Sequence, residues 1–85
     1  SQIEREKRYA GGKLQLHFDL SDGLFTSMKI FGDFLGTKDL MLLESKFVGV
    51  PYQEEALKEA LKDEPIEEYF FNITLDDLVD CIFYE

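Results

Sequence analysis

The sequence predicts an α+β domain: a three-stranded antiparallel sheet, then helices packed on one of its faces, in the order βββααα. Three observations carry this. From Lys13 to Leu20, apolar and polar residues alternate without a break, the period of a strand with one buried and one wet side. Ser21-Asp22-Gly23 then forms a tight turn into a second run, Leu24 to Phe31, which makes an antiparallel hairpin. Beyond Gly36 the apolar residues recur at the three- and four-residue intervals of amphipathic helices.

At the start, Ile3, Arg5, Lys7 and Tyr9 alternate with Glu4, Glu6 and Arg8. Residues 1–9 are therefore a linker end or a short edge strand blunted by its charges, ahead of a single domain over residues 10–85. Tyr9-Ala10-Gly11-Gly12 breaks the alternation as a turn. In the first hairpin strand Leu14, Leu16, Phe18 and Leu20 take the core face, and Lys13, Gln15, His17 and Asp19 the wet one. A one-residue slip would bury the polar set, at about 1–3 kcal/mol for each unpaired group, so the register is well specified. Unbroken alternation in the second strand puts Leu24, Thr26, Met28 and Ile30 on the core face. Phe25, Ser27, Lys29 and Phe31 fall on the other.

Gly32 to Gly36 is a short connection bounded by glycines. Thr37 is the expected cap of a helix whose stripe is Leu40, Leu43 and Phe47, with Met41 and Val48 beside it. Gly49 stands where a left-handed residue ends a helix, and Pro51 blocks continuation. A second helix, about Gln53 to Lys62, buries Ala56, Leu57, Ala60 and Leu61. Residues 66–73 carry Tyr69, Phe70 and Phe71 and read as a helical turn plus loop. Thr74 and Asp77 form a capping box for a last helix with the stripe Leu75, Leu78, Val79 and Ile82.

Eighty-five residues make one domain with a modest core. No apolar run approaches the roughly 20 residues of a bilayer span, and no signal-peptide pattern opens the chain. A lone cysteine, Cys81, excludes an internal disulfide and a cysteine-based metal site. These features lead to the expectation of a cytoplasmic protein that does not engage membranes. The net charge of −9 is uneven: residues 1–13 sum to +2, whereas residues 63–85 hold eight acids and no Lys or Arg. Such a surface repels phosphate backbones, which argues against nucleic-acid binding. It serves as a solvated face or as a docking face for a basic partner.

No catalytic constellation assembles. His17 is the only histidine and lies on the wet side of a strand. The acidic surroundings of Cys81 raise a thiol pKa, the opposite of what a nucleophile needs. Gly11-Gly12 precedes a strand, not a helix, unlike a phosphate-cradling loop. Asp76-Asp77 and Glu54-Glu55 occupy helix first turns, where the dipole accounts for them. The exception to this bland reading is aromatic. Phe25 and Phe31 on the polar sheet face, with Phe34 in the Gly-bounded loop, suggest a contact surface.

Taken together, the chain resembles the C-terminal accessory domain of bacterial lipoate–protein ligases. The resemblance rests on Tyr9-Ala10-Gly11-Gly12 before the alternating strand and on Lys29 to Gly36 closing the hairpin. It continues through Leu43-Glu44, Phe47 to Gly49, Tyr52, Tyr69-Phe70 and Ile73-Thr74. It implies a compact α+β fold similar to iron–sulfur scaffold and sulfur-acceptor proteins. It also implies a partner, a large ATP-dependent catalytic domain that binds ATP and lipoate, makes lipoyl-AMP and passes lipoyl to a lysine of an acceptor protein. That domain's Arg-Arg pair and triple glycine have no counterpart here, and no catalytic lysine, cofactor or metal residue carries over to this chain. The expectation is a non-catalytic domain contacting the large one through Phe31, Gly32, Asp33 and Phe34. Two rivals are a sulfur carrier using Cys81, which needs that thiol on an exposed loop, and a free-standing acidic protein-interaction module.

Overall fold

A computed structural model of the chain describes residues 2–33 and 36–85. Strands β1 (Ile3–Tyr9), β2 (Gly12–Ser21) and β3 (Leu24–Gly32) form an antiparallel sheet in the order β1-β2-β3. Helices α1 (Leu40–Ser45), α2 (Glu54–Leu61), the single turn α3 (Ile66–Tyr69) and α4 (Leu75–Phe83) follow. The predicted α+β class and strand-then-helix order are those of the molecule. Among the described residues no helix is long and apolar enough to cross a membrane.

The alternation in β2 does what its period dictates. Leu14, Leu16 and Phe18 are wholly buried and meet Leu43, Phe47, Leu57, Leu61, Leu78 and Ile82 from the helical side. No charged or polar side chain is buried among the described residues.

Strand β1 shows why it is an edge. Its core-side positions, Arg5 and Lys7, are cationic, and they solve their burial problem by reaching α4. Lys7 Nζ and the Tyr9 hydroxyl both donate to Asp80 Oδ2, at 2.9 and 2.5 Å, and Arg5 Nε donates to the Ile82 carbonyl at 3.3 Å.

The second strand departs from the alternation read in the sequence. Pairing runs Phe18↔Met28 and Asp19↔Ser27, then steps to Leu20↔Phe25, so Thr26 has no opposite residue. This bulge reverses the facing of everything before it. Phe25, expected on the wet face, is 1% exposed, and Leu24 and Thr26 are turned out. The physical reason is ring packing. Phe25 lies 5.4 Å from Phe18, 5.5 Å from Phe47 and 5.6 Å from Tyr52, centroid to centroid. Its backbone is also paired: its N–H donates to Val50 O and its carbonyl accepts from Gly49 N. Gly49 makes that return with φ +87°, a value that suits only glycine at low cost.

Helix α1 is capped by Asp39, not Thr37: Asp39 Oδ1 accepts from Met41 N at 2.9 Å. Its stripe is Leu43 and, one turn on, Phe47, whereas Met41 and Val48 are 66% and 58% exposed. In α2 Leu57 and Leu61 are buried and Ala60 faces out. Residues 66–73 form the expected turn and loop, with Tyr69 and Phe70 in the core and Phe71 exposed. The capping box is complete: Thr74 Oγ1 accepts from Asp77 N, and the Asp77 carboxylate accepts from Thr74 N, each at 3.1 Å.

Candidate functional site

The residues singled out for docking begin at the end of β3. Leu14↔Gly32 and Gln15↔Phe31 are the last pairs of the hairpin, so Phe31 stands on the solvent face of the sheet. Its ring is 47% exposed and packs edge-on against His17, with centroids 5.1 Å apart. Beside it Lys13, Gln15, Phe31, Gly32 and Asp33 line a depression of about 210 Å³. Phe34 lies outside the described residues.

The chain is described again from Gly36, where it is firmly held. Gly36 N donates to Tyr69 O at 2.8 Å and Lys38 N to Glu68 O at 3.0 Å. The Lys38 ammonium lies 5.7 Å from the centre of the Tyr69 ring, a cation–π contact. A Cβ on Gly36 would stand 2.3 Å from Glu68 O, so only glycine permits this approach. The segment is therefore anchored by β3 at one end and α3 at the other. Of the three aromatics expected together, the structure withdraws Phe25 to the core and leaves Phe31 on the surface.

The other candidates carry little chemistry. His17 Nε2 is 3.2 Å from Gln15 Nε2 and 3.8 Å from Glu4 Oε1, a surface cluster on the open sheet face. Among the described residues no group of His, Cys, Asp and Glu is placed to hold a metal ion. Cys81 is buried on α4, and that burial pushes its thiol up to about 11. A sulfur carrier needs an exposed thiolate, which this setting opposes. Gly11 is explained by packing: a Cβ there would lie within 2.1 Å of Phe71 O, because the β1–β2 turn presses on the loop before α4.

Asp80 is the most strongly engaged carboxylate. Hydrogen bonds from Tyr9 and Lys7 hold it below the usual carboxylate range. Burial, reinforced by the bond to Asp80, raises the Tyr9 phenol well above its ordinary value. This is a structural clip between β1 and α4. Its members are more than 70 residues apart in sequence, which is why no local motif announced it.

Sequence reasoning also missed an apolar surface. Met41, Leu42 and Val48 are all exposed, and a groove of about 250 Å³ runs between Met41, Val48 and the Thr26–Met28 stretch of β3. No signal in the sequence marked it, because the length of α1 emerges only in the fold. A six-residue helix has room for one buried stripe, so apolar residues next to Leu43 must face outward.

Comparison with known proteins adds the family. The model of the bacterial lipoate protein ligase C-terminus matches residues 1–82. Lipoate-protein ligase LplJ of Bacillus subtilis is 35% identical over 81 residues, covering 95% of this chain and 24% of that protein. Lipoate–protein ligase 1 of Staphylococcus aureus is 37% identical over 77 residues, covering 91% and 24%. The lipoate–protein ligase of Streptococcus pyogenes is 32% identical over 79 residues, covering 93% and 23%. The chain thus spans about a quarter of the length of these relatives. Over nearly all of its length, from the β1 edge through the capped α4, the chain belongs to the family of bacterial lipoate–protein ligase C-terminal domains.

Proposed function

We propose that this chain is the accessory domain of an ATP-dependent lipoate–protein ligase, acting in the cytoplasm to assist lipoyl-AMP formation and lipoyl transfer by a large catalytic domain. The observation that carries this reading is the family match over residues 1–82 by a chain that spans only about a quarter of its relatives. In this reading the catalytic domain binds ATP and lipoate and meets the acceptor protein. The chain itself brings no reacting group and releases no pyrophosphate alone.

A domain of this kind helps by binding the enzyme in its closed state. Closure excludes water and orders the loops around the adenylate, which favours the acyl-phosphate chemistry. The proposed contact includes Phe31, Gly32, Asp33 and Phe34. Its support is the exposed Phe31 ring, the adjoining depression, and the anchoring on both sides of the loop.

Complementation in trans tests the reading. A catalytic domain lacking its C-terminal region should adenylate lipoate poorly and recover when the 85-residue chain is added. Phe34→Ala and Phe31→Ala should each weaken that rescue without lowering the melting temperature. Normal adenylation by the truncated enzyme would overturn the capping role and leave acceptor recognition as the better account.

A further inference from the structure

The exposed side of α1 is an apolar surface that the fold leaves uncovered. Leu43 and Phe47 commit one stripe to the core, so Met41, Leu42 and Val48 point away from it. Met41, Val48, Ser45 and Glu44, whose carboxylate is held by the Ile30 N–H, form one wall of the groove, and Thr26, Ser27 and Met28 of β3 form the other. The bulge leaves Thr26 of that wall without an opposite residue in β2. Further along β3, the Ile30 N–H is already taken by Glu44 Oε2 at 2.8 Å. A partner strand cannot extend the ladder across that position, so the groove is built to receive side chains.

Charge singles out the same region. After Pro51 the chain holds eleven acids and two lysines, which is the whole net charge of −9. Residues 1–51 hold seven acids and seven bases and cancel. The groove lies in this neutral half. Interface cores are depleted in charge and enriched in Met and aromatic residues, and covering the acidic half would strip water from unpaired carboxylates.

The occupant follows from the comparisons. Relatives match over about a quarter of their length, and the matching model describes their C-terminus. In such a polypeptide the remaining three quarters stand beside this domain at high effective concentration, so even a modest apolar contact is populated. We infer that the groove between α1 and β3 takes an apolar side chain from an uncharged surface of the ligase's catalytic domain. This inference rests on the accessory-domain reading above and names the surface that reading lacks, in addition to the Phe31 loop.

The test is a titration of the fluorescently labelled 85-residue chain with the catalytic domain, read by anisotropy. Met41→Asp combined with Val48→Asp should weaken binding roughly tenfold or more, the loss expected when a charge enters an interface centre. Both side chains are already exposed, so the melting temperature should hold; Met41→Ser with Val48→Ser is the gentler pair if it does not. Glu67→Lys with Glu68→Lys, on the acidic side, should change Kd by less than about twofold. Unchanged binding by the Met41/Val48 pair overturns the groove assignment alone. No binding by the unmodified chain even at the roughly millimolar concentration that tethering supplies removes the accessory-domain reading and the groove assignment with it. A dimer of the unmodified chain that this pair dissolves would make a second copy the occupant and overturn the inference.

Discussion

Phe25 stands where the rings of Phe18, Phe47 and Tyr52 converge, and its backbone closes a bridge to residues 49 and 50. Truncating a buried aromatic in such a cluster removes its transfer free energy and leaves a cavity, typically about 3–5 kcal/mol. Phe25→Ala should therefore lower stability by about that amount in urea unfolding, while Leu24→Ala should cost less than about 1 kcal/mol. The opposite order would mean that the strand runs without its bulge. Phe25 also shows where reading from sequence stops. The alternation in β2 is unbroken, and Leu14, Leu16 and Phe18 are buried as it requires. A bulge changes the parity of β3 without disturbing the local pattern on either side, so Thr26 gives no sign of it. Phe31 was legible as a surface aromatic because it lies on the far side of the bulge from Phe25. Met41 and Val48 were not, because spacing alone places them beside a stripe without saying how wide the stripe is.

The elements are joined by contacts of two kinds, and only one kind is local. The capping box of α4 spans three residues and could be read from Thr74 and Asp77 alone. The clip between β1 and α4 brings Lys7 and Tyr9 to Asp80, and only the tertiary fold creates it. It ties a cationic edge strand, already paired with β2, to the last helix. Because Asp80 is held below its ordinary range by these bonds, its contribution to stability is present above the unfolded carboxylate pKa of about 3.9. That contribution is lost as pH falls through the lower folded value. At neutral pH Asp80→Asn should cost about 1 kcal/mol, a modest figure because the side chain is 45% exposed and screened. The difference between the two proteins should begin to shrink near pH 4 and vanish in stronger acid. Thermal unfolding across pH 2–7 measures it, and a constant difference over the whole range would show that the ion pair contributes nothing.

At the scale of the molecule, charge is sorted along the chain. The sheet and α1 come from residues 1–51, which are neutral in sum, and α2 to α4 come from the segment that carries all of the −9. This sorting gives the two candidate modes of docking different dependences on salt. A contact through the acidic segment would pair carboxylates with a basic surface, and its affinity would fall steeply as ionic strength shortens the screening length from about 10 Å at 0.1 M to about 3 Å at 1 M. A contact through the α1 groove and the Phe31 loop would bury apolar surface, whose strength salt does not screen. Binding of the catalytic domain is therefore expected to change by less than about threefold between roughly 0.1 and 1 M sodium chloride. The same titration with Glu67→Lys and Glu68→Lys should follow the same flat course. A loss of affinity of a hundredfold or so over that range would place the acidic helices at the contact. The α1 groove would then be a surface that faces solvent while the ligase works.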